Sequence, residues 1–556
     1  MKQENKFPFG VKNVILLIIA IAVCRGMWYL MYPALSIHSV EFWIMTIINV
    51  VIFLPAIIPA KECSKSKLQW IPSGLGFIVI FCSILFLIIG WISTWKIFNV
   101  DNYRNRAVVS EGANFTEDFP KLTDSSNIPY VDLETARKLG DRTIGKLSHS
   151  SWYEVDDEYN LICYKGEYYR LSPLGYAGFF EFNKAEKDGI PGYVLVNAKT
   201  QEANFIQVDG GYFYSPTACW GKNLNRHLRK QFPNYIFGNS YFEIDEDGKP
   251  YWVTAVNKTT VGIFAGYKEE EFIITDAITG ESKIYNKEEI PNWVDHAVSL
   301  GYSMEVLDKY YSLVHGVWNW SNTDVYKTTY NYRDENFTGY NSFIDSQGNV
   351  CFYTGLTPAN NAESNTGFLL INCRTGDTRE YLFEDDNGGI EESTGMERAE
   401  SEVQNFGYKA TFPLMVNIAG EPTYLMCLKG NDGLVKQIAL AIVSTKSSTI
   451  VTSDNLESAI KKYESELIKA NIIDNNGIDV KVTGEAESIT GTITAKYDIT
   501  VDGTTHYLYK IDESTTLYDA SVKYGYAQAA YMVGDIIKIT YESSDNDVKT
   551  AIKIEK

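Results

Sequence analysis

The sequence predicts an α+β protein with three N-terminal transmembrane helices, about four units of one helix plus an antiparallel meander, and a small C-terminal β-barrel. Three observations predict it. The first hundred residues hold long apolar runs, the middle repeats one turn pattern, and the last stretch alternates apolar and polar residues in short strands. Across 556 residues the chain is 45% apolar and 22% charged, which excludes wholesale disorder. With 70 acidic against 50 basic side chains its net charge is −20, so a non-specific nucleic-acid binder is excluded as well. The 38 tyrosines fit strand-rich domains.

The membrane segments come first. Val14–Cys24 is unbroken and apolar and continues after Arg25-Gly26 as Met27–Leu35, while Phe42–Ala60 and Leu75–Trp95 are each long enough to cross the hydrocarbon. Trp28, Tyr29, Trp70, Trp91 and Trp95 stand at ends or interruptions of these runs, where amphipathic rings favour the interface. Lys2, Lys6 and Lys12 precede the first run, and Lys61, Lys65 and Lys67 lie between the second and third. The loop 33–40 carries no basic residue; Lys96, Arg104 and Arg106 beyond the third run weaken this contrast without reversing it. The N-terminus is therefore expected in the cytoplasm of a plasma-membrane protein whose large C-terminal region is extracellular. The first run is short enough for a cleaved signal peptide, and Cys24 could end a lipoprotein signal were Val23 smaller. The later runs retain the chain either way, so the segment is read as uncleaved. Arg25 then sits near mid-membrane as a functional suspect, or pairs with Glu41 or a headgroup.

The repeat is a strand, then Asn or Asp, two residues, Thr, Gly or Gln, and an acid. It reads Asn197-Ala-Lys-Thr200-Gln-Glu, Asp276-Ala-Ile-Thr279-Gly-Glu and Asn372-Cys-Arg-Thr375-Gly-Asp, with a degenerate copy at Ser444-Thr-Lys-Ser. Such a turn lets the Asx side chain bond the following backbone, with Gly280 and Gly376 supplying positive φ. An earlier hairpin precedes each turn, at Asp245-Glu-Asp-Gly248, Asp345-Ser-Gln-Gly348 and Asn417-Ile-Ala-Gly420; the first unit offers only 154–162, without a glycine. Helical spacing precedes each hairpin pair. It appears in Leu133, Ala136, Leu139 or Gly140, Ile144 and Leu147, and in Trp220, Leu224, Leu228 and Phe232. Val294 and Val298, then Leu307, Tyr311 and Val314, predict two helices broken at Gly301. Met396, Ala399, Val403 and Phe406 predict a helix opened by the capping box Thr394-Gly-Met-Glu397 and stopped at Gly407. A closing helix is read from Leu456, Ile460, Tyr463 and Leu467.

A helix, a strand ending in Asp-x-Asp-Gly-Lys-Pro-Tyr and a strand ending in Asp-x-x-Thr-Gly-Glu resemble the PepSY-like module, best in residues 216–290. The layout also resembles that of membrane-anchored proteins of low-GC Gram-positive bacteria. The resemblance implies an extracytoplasmic module that binds protein, in some cases inhibiting a peptidase, and no catalytic residues. The divisions are 1–100 for the anchor, 101–215, 216–290 and 291–391 for three units, 392–475 for a partial fourth unit with the closing helix, and 476–556 for the tail. There, Val533-Gly534-Asp535 leading into a strand is similar to the later part of an OB-like barrel, though the acidic tail lacks the basic groove of nucleic-acid binders.

Sites of chemistry are sparse. No GxSxG, HExxH, Walker or GxGxxG motif occurs, and the six His lack metal-ligand spacing, so no cofactor or metal is expected. Ser93-x-x-Lys96 and Ser458-x-x-Lys461 fall at a membrane boundary and on a charged helix, as chance matches do. Asp245-Glu-Asp247-Gly248 begins like a calcium loop but continues with Lys249-Pro250; the acidic loop 384–389 is a looser cation candidate. Cys163, Cys219, Cys351, Cys373 and Cys427 have apolar or aromatic neighbours and read as buried small hydrophobes. Trp220, Trp252, Trp293, Trp318 and Trp320 would fill seams between small units, with some rings left for a glycan or protein partner. Lys222, Arg226, Arg229 and Lys230 form a basic face for an anionic polymer, lipid headgroups or an acidic neighbour in the chain. The function expected is non-enzymatic binding or scaffolding at the cell envelope, with membrane lipid and a protein as partners. Regulation of an extracytoplasmic peptidase, cell-wall glycan hydrolysis, and sensing on behalf of the spans are the alternatives.

Overall fold

A computed structural model of the chain describes residues 11–58, 71–119, 121–122, 128–145, 147, 149–331, 338–360, 364–383, 388–470, 472–473, 486–501, 504–512, 514–521, 531–542 and 548–555. The sequence features at 1–10, 59–70 and 384–387 lie outside these. The fold is mixed α and β, with three apolar helices followed by several small sheets.

Val11–Met31, Val40–Ile57 and Ile71–Ser93 are the helices long and apolar enough to cross a membrane. Pro55 lies inside the second, and Asn13 of the first donates its amide to the Ala56 and Ile58 carbonyls at 2.9 and 3.0 Å, satisfying acceptors at that helix's end.

Beyond them, four antiparallel sheets share one plan. Each has a long central strand: Glu167–Tyr176, Pro250–Val261, Val350–Pro358 and Glu421–Lys429. It pairs with a hairpin partner on one side and with the strand before the repeated turn on the other. In three sheets the partner is split into two pieces, 160–164 with 153–155, 341–344 with 326–328, and 414–418 with 409–410. In the second sheet Phe237–Ile244 stays whole but slips register between Phe237 and Ser240. One helix precedes each sheet, at Leu133–Ile144, Leu224–Gln231, Leu300–Ser312 and Glu392–Glu402.

The repeated turn forms alike in three units. Asn197, Asp276 and Asn372 each accept two backbone N–H groups on Oδ1, from the residues two and three further on, at 2.8–3.1 Å. The residue after the Asx is buried in three units as Ala198, Ala277 and Cys373, and Val443, just before Ser444, is buried in the fourth. Each of these carbonyls accepts from the segment leading into that unit's own helix: Val131, then Phe213 and Tyr214, then Ala297 and Val298, then Ile390. Each turn thus fixes where its unit's helix begins.

Most sheets are covered on both faces, which explains unbroken apolar runs such as Phe368-Leu-Leu-Ile and Ile438-Ala-Leu-Ala-Ile. The first and second sheets share a core through Tyr193, Tyr212, Phe242 and Trp252. The third and fourth share one through Tyr353, Phe368, Met396 and Tyr424, and the closing helix Leu456–Lys469 covers the outer face of the fourth. The array also closes on itself. Lys429 pairs with Asp132 at 2.9 Å and with Glu134, and Thr135 donates to the Gly433 carbonyl, so unit four meets unit one. Residues 109–110 add a parallel strand to the third sheet, and Phe119 enters the core between units three and four.

Four local expectations are corrected. Residues 291–299 are not helical: Pro291 opens a non-helical segment, Ala297 and Val298 bond the Cys373 carbonyl, and Ser299 caps a helix that begins at Leu300, so Gly301 lies in its first turn. Trp220 stands outside its helix, which Asn223 caps. The helix at 392 begins ahead of the Thr394 capping box, behind Glu391, and Phe406 is exposed beyond its end. Residues 154–162 are not a hairpin; both strands there pair with 167–176, and the turn is Lys165-Gly166 (φ 54° and 80°), a pair of left-handed residues that matches strand twist.

In the tail, strands 486–501, 504–511, 517–521, 548–555 and 536–542 pair in that order, and the last returns to the first. Ile493, Tyr509, Ile511, Ile537 and Ile539 fill the interior.

Candidate functional site

The region with the most to explain is the junction of the body with the outer ends of the apolar helices. The second sheet's long hairpin turns at Val261–Ala265, and its tip lies between the second and third spans. Gly262 (φ 58°) lies so close to the Ser93 carbonyl that a Cβ would collide with it, and the Ile263 N–H donates to Ser93 Oγ at 3.1 Å. His38 Nδ1 lies 2.9 Å from the Ile263 carbonyl. The Phe264 ring fills the space left by Gly90 and meets Phe86, which stacks on Trp43. Two glycines in different segments permit the contact, Gly90 for the ring and Gly262 for the Ser93 backbone.

The helix Leu224–Gln231 rests on the end of the first span. Arg229 donates Nε to the Tyr32 carbonyl at 3.2 Å and lies over Phe237, while the Leu35 N–H donates to Pro233 at 2.8 Å. Burial lowers the Arg229 pKa, opposed by Glu41. Arg226 lies 4.7 Å over the Tyr29 ring, Lys222 lies 4.4 Å over Tyr214, and Lys230 is exposed. The basic face thus meets rings and carbonyls. Arg25 is exposed on the first span, six residues before its end at Met31, or about 9 Å of helix.

The five tryptophans separate. Trp252 is buried in the shared core of units one and two and donates Nε1 to Tyr214 at 2.9 Å, as a seam residue would. Trp293 is half-buried against Tyr251. Trp220, Trp318 and Trp320 are 48%, 68% and 84% exposed, so the seam expectation fails for them. Trp220 touches Tyr29 of the first span and Phe179, next to Phe180. Phe179 and Phe180 carried no sequence signal, since their short helix Phe179–Ala185 interrupts the meander of unit one.

A polar cleft of about 380 Å³ lies between units two and three, lined by Arg106, Lys258, Lys268, Glu269 and Tyr302. Three of its charges are engaged: Arg106 binds Glu305 through both guanidinium nitrogens at 2.8 and 2.9 Å, Lys268 pairs with Glu270, and Glu269 accepts from Ser299 N–H and Oγ. Burial raises Glu269 to about 7. Nearby, Glu243 is wholly buried and raised to about 8 by burial, with Oε1 accepting from the His296 N–H. Burial and Glu243 raise Asp295 to about 7, and burial lowers His296 to about 4.

The remaining motifs have local uses. Asp245 Oδ1 accepts from the Asp247 and Lys249 N–H groups, closing a turn rather than opening an ion loop. Ser93 Oγ donates to Gly90, and Lys461 pairs with Glu457. Cys351, Cys373 and Cys427 are buried as expected; Cys163 is exposed and Cys219 half-buried, because their strand edge and loop are less covered than their neighbours suggest. Comparisons with protein-family models, curated proteins and solved structures find no match.

Proposed function

We propose that the chain is a membrane-anchored, extracytoplasmic binding or scaffolding protein of the cell envelope, with PepSY-like units presenting its surface and an OB-like tail extending it. The observation that carries this reading is the seating of unit two on the spans: a hairpin tip locked between two apolar helices and a helix resting on the third hold the whole array at one height. A platform that does not tilt suits presentation of a surface to a partner. The lysine bias of the N-terminal flanks supports the outward orientation.

Labelling in intact cells tests orientation first. Glu202→Cys, on an exposed turn of unit one, should react with a membrane-impermeant maleimide without lysis. Reaction only after lysis places the body inside and ends the envelope reading. Photo-crosslinking from the same turn should then yield a discrete adduct with one protein, whereas release of sugar from cell wall by the purified full chain would favour the hydrolase alternative.

A further inference from the structure

Apart from Phe406 of unit four and Tyr497 of the tail, the large exposed rings of the body gather where it meets the apolar helices. On one flank, Phe179, Phe180 and Trp220 adjoin Tyr29, two residues from the end of the first span. At the end of the third span stand Trp91, Trp95, Ile97 and Phe98, all exposed. On the opposite flank the helix Leu300–Ser312 descends toward the membrane. Its N-cap Ser299 meets Glu269, four residues up the strand from Ala265, whereas Leu313 packs with Val261 and Tyr103, beside the hairpin tip. Tyr103 Oη donates to the Thr94 carbonyl, which fixes that level at the end of the third span. The loop that follows carries Val317, Trp318 and Trp320, all exposed, with the two indoles 6.3 Å apart.

Cations occupy the same level. Lys96 follows the third span and lies near Lys309; burial and Lys309 lower its pKa. Lys222, Arg226 and Lys230 stand above the first span, and Arg25 is close enough to its end for a long side chain to reach upward. A molecule of charge −20 is repelled as a whole from an anionic surface, so the cations on this rim stand where that repulsion has to be overcome.

We propose that this rim is a lipid-contact surface: the body lies against the bilayer with Phe180, Trp318 and Trp320 in the interfacial layer, and Arg25, Lys96, Lys222 and Lys230 meet the phosphates of anionic lipid. Continuity with three apolar helices names the occupant, because rings at their ends face lipid headgroups rather than bulk water. The inference holds on either side of the membrane and so stands or falls apart from the function proposed above.

The test uses the full chain in phosphatidylcholine vesicles. The emission of wild type minus that of Trp318→Phe/Trp320→Phe isolates the two loop indoles from those in the spans. This difference should be lost when the lipid is brominated and should resist aqueous iodide. Quenching by iodide with no effect of brominated lipid overturns the proposal. Independently of any variant, adding phosphatidylglycerol should slow acylation of Lys230 and Lys96 by a soluble ester, read by mass spectrometry on wild type. Equal rates with and without the anionic lipid overturn the assignment of the cations.

Discussion

Arg170 is 4% exposed and joins three segments: Nε donates to Val131 at 3.1 Å, and Nη1 reaches the Tyr159 carbonyl and Ser342 Oγ. Its removal strands acceptors in units one and three together. Arg170→Ala should destabilise the body by about 3 kcal/mol, measured by denaturant unfolding in detergent, and Arg170→Lys should recover only part, because an ammonium cannot serve such separated acceptors. The buried carboxyls set a second behaviour. Glu243, raised to about 8, and Asp295, Glu269 and Glu392, each raised to about 7, are lifted by burial first. Folded chains therefore hold protons that unfolded chains have released, so this contribution is complete below about pH 4.5 and is lost as pH rises through 7 to 8. His296, lowered to about 4, acts in the opposite sense, but only up to the ordinary histidine value. Between about pH 6.5 and 8.5 the carboxyls act alone, so Tm should fall across that range, and Glu243→Gln should flatten the fall. None of these residues differs in sequence from a surface charge. Asn197, Asp276 and Asn372 were legible because their partners lie within four residues; Arg170 and Glu243 were not, because theirs lie up to 172 residues away.

At the level of elements, the hairpin tip decides whether body and anchor move as one. Gly262→Val would push a branched side chain at the Ser93 backbone in a left-handed conformation. The tip should lift, and amide exchange at Ile263 should accelerate by an order of magnitude or more while the sheets themselves keep their protection. Phe264→Ala should do the same more mildly, losing about 2 kcal/mol of buried ring. Element boundaries show where sequence reading stops. Helix spacing found Leu133–Ile144 and Leu456–Lys469, because each packs one stripe on one sheet. It failed at Val294 and Val298, which are buried against Ala255 and Phe272 from an extended segment: four-residue spacing reports burial, and only the neighbouring Pro291 and Ser299 report the backbone. The turn at Lys165-Gly166 is the converse case: two residues suffice for it, and they share no spacing with the longer loops of the other units.

For the molecule as a whole, units one and four meet through Lys429, Asp132 and Glu134. The turns that defined the repeat are local and carry no information about closure, which depends on the stretch 106–131 crossing units three and four before the first helix begins. The contact between units one and four does not replace a cap: the outer face of unit four is still covered by the closing helix, as the end of an open stack would be. Lys429→Met should accordingly raise amide exchange around 130–135 with little change in the closing helix, a difference readable by mass spectrometry. The strand at 109–110 adds a consequence for biosynthesis. It leaves the ribosome just after the third span, yet the edge it completes, at 378–379, is made only when units one and two and most of unit three have followed. That early piece must wait without its mate through most of synthesis. A chain cut short after unit two, though it contains two whole sheets, should be cleared by quality-control proteases, while the full-length product survives the same pulse-chase.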